Sequence, residues 1–270
     1  MRWAICNETY DGWDHARACK HAASVGYTGW EIAPFTLAPR ITDVTREQRR
    51  TIRAQAEDAG LQVIGLHWLL AKTTGLMLTS PDEKVRQATA DYLAALAECC
   101  AGLGGDMLVF GSPAQRRIPG GATKEQAEAW AIDTFKKASK AFADHGVTLC
   151  VEPLSPPEAD FLNTAAEAEE LIRKLDHPSF RLHLDVKAMS TDGPAPDLIR
   201  RHAGMLRHFH ANDPNKRGPG FGETDFVPIF QALKEIGYEG WVSVEVFDYA
   251  PDAETIASKS IEYMKRCWGE

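Results

Sequence analysis

Short apolar runs alternate with longer stretches in which apolar and polar residues recur at helical spacing, and this alternation continues through all 270 residues. The runs are "RWAIC", "GWEIA", "LQVIGLHWLL", "DMLVFG", "VTLCVEP", "FRLHLDV", "LRHFHAN" and "WVSVEVF". Each reads as a strand. Between them, helical periodicity predicts helices over 14–25, 45–59, about 81–102 and 123–145, then over "TAAEAEELIRKL", near 197–202, over 226–236 and over 252–267. Gly26, Gly60, Gly102, Gly146 and Gly237 stand where helices stop. Thr123 with Gln126, and Thr164 with Glu167, have the spacing of a helix-opening capping box.

Eight strand-then-helix units spaced by roughly 30 residues predict a (β/α)8 TIM barrel, an α/β fold. No Pro/Ser-rich linker interrupts the pattern, so residues 1–270 read as a single domain. The rival, an open doubly wound sheet, would be favoured by G-x-G-x-x-G after the first strand, and none is present.

In such a barrel the chemistry gathers at the C-terminal ends of the strands. Runs five to eight end at Glu152, Asp185, His210 and Glu245. The separations of 33, 25 and 35 residues are one strand–helix unit each. Three carboxylates converging on one mouth repel one another, and burial raises their pKa values unless a cation compensates. One imidazole and three carboxylates suit one hard or borderline divalent ion, with Mn²⁺ the first choice and Mg²⁺, Co²⁺ or Zn²⁺ as alternatives. The competing expectation is that each acid pairs with a lysine or arginine at the rim. His67 closes the third run and is expected to touch substrate, with Trp68 beside it as an apolar wall or as core. Glu31, His183 and His208 are expected to support the site from below.

Composition narrows the function classes. With 44% hydrophobic and 25% charged residues, the chain is globular and large enough for a sizeable core. A net charge of −8, with no long Lys/Arg block, argues against a nucleic-acid partner. No run of ~20 apolar residues is present to span a membrane. The start "MRWAICNETY" has no signal-peptide core, and none of the six cysteines forms C-x-x-C. Reduced thiols in a cytoplasmic protein are therefore expected.

The segments "VEPLSPPE", "LHLDVKAM", "HFHANDPNKRGPGFG" and "WVSVEVF" resemble the sugar isomerase/epimerase superfamily of xylose-isomerase-like TIM barrels. Ketose 3-epimerases, inosose-converting enzymes and, more distantly, endonuclease IV belong to it. The resemblance runs the whole chain, and the H-x-H strand followed by P-G-x-G is its most specific part. It implies one metal held by Glu152, Asp185, His210 and Glu245, with Glu152 and Glu245 also serving as the acid/base pair. It further implies substrate contacts from Glu158 and from Lys216 or Arg217, and a sugar or keto-polyol as the small-molecule partner. Relatives often pair, so a homo-oligomer is compatible with it.

Two departures bear on the substrate. Ketose 3-epimerases carry a histidine three residues after the sixth-strand aspartate, where this chain has Ala188. Lys187, two residues after Asp185, is expected by strand alternation to face the same side, either holding substrate or snorkelling at the rim. The further histidines and the seventh-loop Asp-x-His of endonuclease IV are missing: strand four ends in Phe110-Gly111 and the loop reads Glu223-Thr224-Asp225. The leading expectation is a metal-dependent isomerase or epimerase working through an enediolate. A lyase or dehydratase on the same site, and a sugar-binding barrel without catalysis, are the alternatives.

Overall fold

The computed structural model describes residues 1–270. Eight parallel strands close into one barrel, with β1 paired to both β2 and β8. They are β1 (Arg2–Cys6), β2 (Gly29–Ile32), β3 (Gln62–Leu66), β4 (Met107–Phe110), β5 (Thr148–Val151), β6 (Phe180–Asp185), β7 (Leu206–Ala211) and β8 (Trp241–Val244). Around them lie α1 (His15–Val25), α2 (Arg46–Ala59), α3 (Glu83–Leu103), α4 (Lys124–His145) and α5 (Ala165–Leu175). The ring is completed by α6 (Val186–Met189), α7 (Ala195–Arg201), α8 (Phe226–Glu235) and α9 (Ala253–Trp268).

Local chemistry sets most element ends. Thr123 accepts from Gln126 N while the Gln126 side chain returns to Thr123 N, so α4 opens on a complete capping box. At α5 only half of that box forms. Thr164 caps Glu167 N, but the Glu167 carboxylate goes to Asn163 N and Lys124 instead. Helix α3 runs one residue past the expected Gly102, because Gly104 supplies the left-handed cap with φ 92°. The third apolar run is not one long strand. β3 stops at Leu66, and Trp68 takes φ 51°, which breaks the extended backbone. Helix α6, a single turn capped by Asp185, has no counterpart among the expected helices.

Strand alternation separates two cores. Trp3, Ile5, Leu108, Phe110, Leu182, Leu184, Val242 and Val244 belong to the large apolar layer shared with the helices. Ala4, Ile64, Met107, Val109, Cys150 and Trp241 form a smaller cluster of their own. The polar residues on the opposite strand face from the large layer are Glu31, His183, Asp185, His208, His210 and Ser243, all buried. Close approach of β3 to β4 requires a missing side chain at Gly65, where a Cβ would stand 2.3 Å from the Met107 carbonyl oxygen.

Candidate active site

The backbone ladder carries Glu152 and Glu245 one step beyond their strands. Glu152 N donates to the Phe110 carbonyl at 3.2 Å, and Glu245 N to that of Ala211 at 3.4 Å. Asp185, His210 and Ser243 are direct neighbours in register on β6, β7 and β8. The four expected ligands thus arrive at one end of the barrel, all buried. Ligand atoms of Glu152, Asp185 and His210 lie within 4.8 Å of one another, together with His183. Glu245 joins this group through His210, whose Nδ1 is 3.1 Å from Glu245 Oε2.

Asp185 and Glu245 are oriented by neutral donors. Asp185 Oδ1 accepts from Ala188 N at 2.8 Å, and Oδ2 from Asn212 Nδ2 at 2.5 Å. Asn212 Oδ1 in turn accepts from Lys187 N. Trp68 Nε1 donates to Glu245 Oε1 at 2.6 Å. The side-chain oxygens of Glu152 accept no hydrogen bond from the protein. They occupy space left by Gly111, where a Cβ would stand 2.3 Å from Oε2.

Beneath the acids lies a buried histidine layer. Glu31 accepts from His208 Nε2 at 2.9 Å and from His210 Nε2 at 3.1 Å. Burial opposes the Glu31 charge, but these two imidazoles hold its pKa well below the usual carboxylate range. His183 packs edge-on to His210 at 4.2 Å, and neither of its ring nitrogens has a partner. Burial, then His210 and His208, push its pKa far down, so it stays neutral.

A cavity of about 400 Å³ opens over this group. Glu152 and Glu245 line it, with Trp68 and Phe247 stacked 5.8 Å apart as one wall. Glu158 and Lys187 also line it and pair with each other, Lys187 Nζ lying 2.7 Å from Oε1. Burial lowers the lysine pKa, but Asp185 and Glu158 outweigh it and keep Lys187 charged. Lys187 reaches the cavity through the turn of α6 rather than by strand alternation.

Three expected substrate contacts fall elsewhere. His67 is fully buried, its Nε2 2.9 Å from Glu8 Oε2, and is absent from the cavity wall. It follows β3 just before the backbone turns at Trp68, so Trp68 takes the wall position instead. Lys216 is exposed and Arg217 half-buried, and neither lines the cavity. The Lys216 carbonyl accepts from Phe247 N and Asp248 N, and Arg217 donates to the Ala250 carbonyl. These bonds tie the loop after β7 to the loop after β8.

The cations that do reach the cavity besides Lys187 are Lys72 and Arg117, which the sequence did not single out. Its neighbour Arg116 is fully buried and donates to the carbonyls of Gly111, Glu152, Phe161 and Leu162. Burial lowers its pKa to about 10, against the pull of Glu152. Nothing in the "QRR" tripeptide distinguishes the buried arginine from the exposed one.

A divalent cation fits this donor set. No lysine or arginine forms an ion pair with Glu152, Asp185 or Glu245, so rim cations do not neutralise the acids. Burial, with Glu245 and Asp185 nearby, pushes Glu152 up to about 8. Burial, with Glu245 nearby, pushes Asp185 up to about 6. His210 and Lys187 only partly offset this. Oxygen donors with one imidazole nitrogen match the preference of a hard or borderline ion. Among the helices, none is long and apolar enough to cross a membrane. All six cysteines are free thiols, five of them buried.

A family model described as xylose isomerase-like TIM barrel matches residues 19–267. The chain is 27% identical over 239 residues to D-psicose 3-epimerase of Ruminiclostridium cellulolyticum, covering 87% of this chain and 78% of that protein. It is 26% identical over 275 residues to L-ribulose 3-epimerase of Methylomonas sp., covering 93% and 90%. A crystal structure of D-psicose 3-epimerase in the presence of D-fructose superposes with a TM-score of 0.87 over 100% of both chains, at 22% identity. At that identity the superposition speaks to the fold.

Proposed function

The chain belongs to the xylose isomerase-like TIM barrel family, and from that premise we propose that it is a divalent-metal-dependent ketose epimerase or isomerase. One observation carries the proposal: buried Glu152, Asp185 and Glu245 meet around His210 at the barrel mouth with no lysine or arginine paired to any of them. The sugar epimerases among its relatives, at 26–28% identity over most of the chain, support the substrate class. Glu152, Asp185, His210 and Glu245 would hold the cation, manganese being the first choice. When bound, it supplies Lewis-acid polarisation of the substrate carbonyl and its neighbouring hydroxyl.

The remaining work falls to side chains. Glu152 and Glu245 line the cavity from different strands, so a sugar between them presents one face to each. One glutamate removes the proton from the carbon beside the carbonyl, leaving an enediolate. The other returns a proton to the opposite face, which inverts that carbon. Trp68 fixes the Glu245 carboxylate through Oε1 and, with Phe247, offers an apolar face to the sugar. Lys187 remains charged, and its ammonium donates to a substrate oxygen as negative charge develops, with Glu158 orienting it.

The test is incubation of the manganese-loaded protein with D-fructose, D-tagatose and L-ribulose in heavy water. The expected product keeps the mass of its substrate apart from one solvent deuterium at the inverted carbon. Glu152→Gln and Glu245→Gln should each abolish turnover with the circular dichroism spectrum unchanged. Full turnover in both variants refutes the assignment, and a product lighter by one water identifies a dehydratase instead.

A further inference from the structure

His67, His183, His208 and His210 are all fully buried, and three of them have an acid beside a ring nitrogen. His208 Nε2 and His210 Nε2 face Glu31. His67 Nε2 lies 2.9 Å from Glu8 Oε2, and ligand atoms of Glu8, His67 and Glu245 fall within 4.8 Å of one another. His183 has no such acid: it is 0% exposed, and neither Nδ1 nor Nε2 meets a hydrogen-bond partner. A neutral imidazole carries one N–H and one lone pair, and leaving both unbonded away from water is costly. An orphan of this kind points to a bound species that completes it.

The neighbours of His183 say which species. His183 and Asp185 project from alternate positions of β6, on one strand face. A ring nitrogen of His183 lies within 4.8 Å of carboxylate oxygens of Glu152 and Asp185 and of a ring nitrogen of His210. Donors bonded to one ion at about 2.1 Å stand at most about 4.2 Å apart, so this group closes on a cation with shifts of about half an ångström. His183, His208 and His210 form an equally compact group, but it contains no anion to balance a divalent charge. The group with the two carboxylates is the one suited to the ion.

We propose that His183 is itself a ligand of the divalent cation, a second imidazole beside His210. The proposal rests on the metal-dependent reading of the barrel mouth and adds to its donor set. Its position one layer below Asp185 suggests instead a supporting role. A supporting histidine, however, gives its N–H to a ligand's carboxylate or to a carbonyl, and His183 makes no such bond. The consequence is metal choice, because imidazole donors favour Co²⁺ and Zn²⁺ over Mg²⁺.

The experiment counts the nitrogens on the ion. Pulsed EPR of the Mn²⁺-loaded full chain should show hyperfine coupling to two directly bound nitrogens in wild type and to one in His183→Leu. A supporting role leaves the count at one in both. Leucine sacrifices no hydrogen bond here, so the metal-free variant should melt no lower than wild type. Calorimetric titration should show Co²⁺ affinity falling about a hundredfold in the variant and Mg²⁺ affinity about tenfold, so their ratio drops about tenfold. A single bound nitrogen in wild type, or an unchanged Co²⁺-to-Mg²⁺ ratio in the variant, overturns the proposal and leaves the site of Glu152, Asp185, His210 and Glu245 standing. A wild-type protein that takes up none of these ions overturns both readings. The wild-type spectrum decides the matter even if the variant does not fold.

Discussion

Replacing Glu152 by Gln should stabilise the metal-free protein, although it removes a proposed catalytic group. In the structure the Glu152 pKa rises from 4.5 to about 8, first by burial and then by Glu245 and Asp185. Between those two values the unfolded chain has released this proton while the folded chain still holds it. The folded state therefore binds more protons, and stability falls as pH rises through the window. At about 1.4 kcal/mol per pH unit, the loss reaches on the order of 3 kcal/mol at pH 7 and 5 kcal/mol above pH 8. Asp185, raised from 3.8 to about 6, acts in the same direction at lower pH. Glutamine has nearly the same shape, loses no protein hydrogen bond here, and cannot ionise. The assay is thermal unfolding of protein stripped of metal, from pH 5 to pH 9. Wild type should lose Tm progressively across this range. The variant should lose less, standing on the order of 10 °C above wild type at pH 9 for a chain of this size. Added manganese should stabilise wild type more as pH rises and the variant little at any pH. A wild-type Tm that stays flat to pH 9, or a variant no more stable than wild type there, refutes the claim that repelling acids define this site.

Gly111→Ala places a Cβ 2.3 Å from Glu152 Oε2, and clearing it displaces the carboxylate by about 1 Å. Ketose turnover should fall about a hundredfold with manganese affinity reduced, measured by steady-state kinetics and calorimetry. Arg116→Met strips the donor from four buried carbonyls that join the loops after β4 and β5. At about 1 kcal/mol each, urea unfolding should show a loss on the order of 4 kcal/mol.

How much of this was legible in the chain can be judged residue by residue. Glu152, Asp185, His210 and Glu245 stand at one mouth, as their strand-end positions imply, because a parallel barrel imposes a simple mapping: consecutive strands deliver their C-termini to the same end. The polar layer of Glu31, His183 and His208 followed from period-two alternation. The loops are less legible. Lys216 and Arg217 stand in a sequence context that suggests a substrate contact, yet neither lines the cavity here, where backbone bonds from Phe247 and Asp248 hold that loop. Lys72 and Arg117 reach the cavity from loops with no telling pattern.

Strand and helix order, the closed barrel and the acids at its mouth follow from local periodicity and from turns that depend on a few neighbouring residues. Which of two adjacent arginines is buried, which lysine faces the cavity, and that Glu8 and Glu245 come close depend on contacts between segments far apart in the chain. Side-chain type and spacing carry the first kind of information because it is written within a turn or a strand. The second kind arises only when all eight loops pack against one another, and it was decided by the tertiary structure.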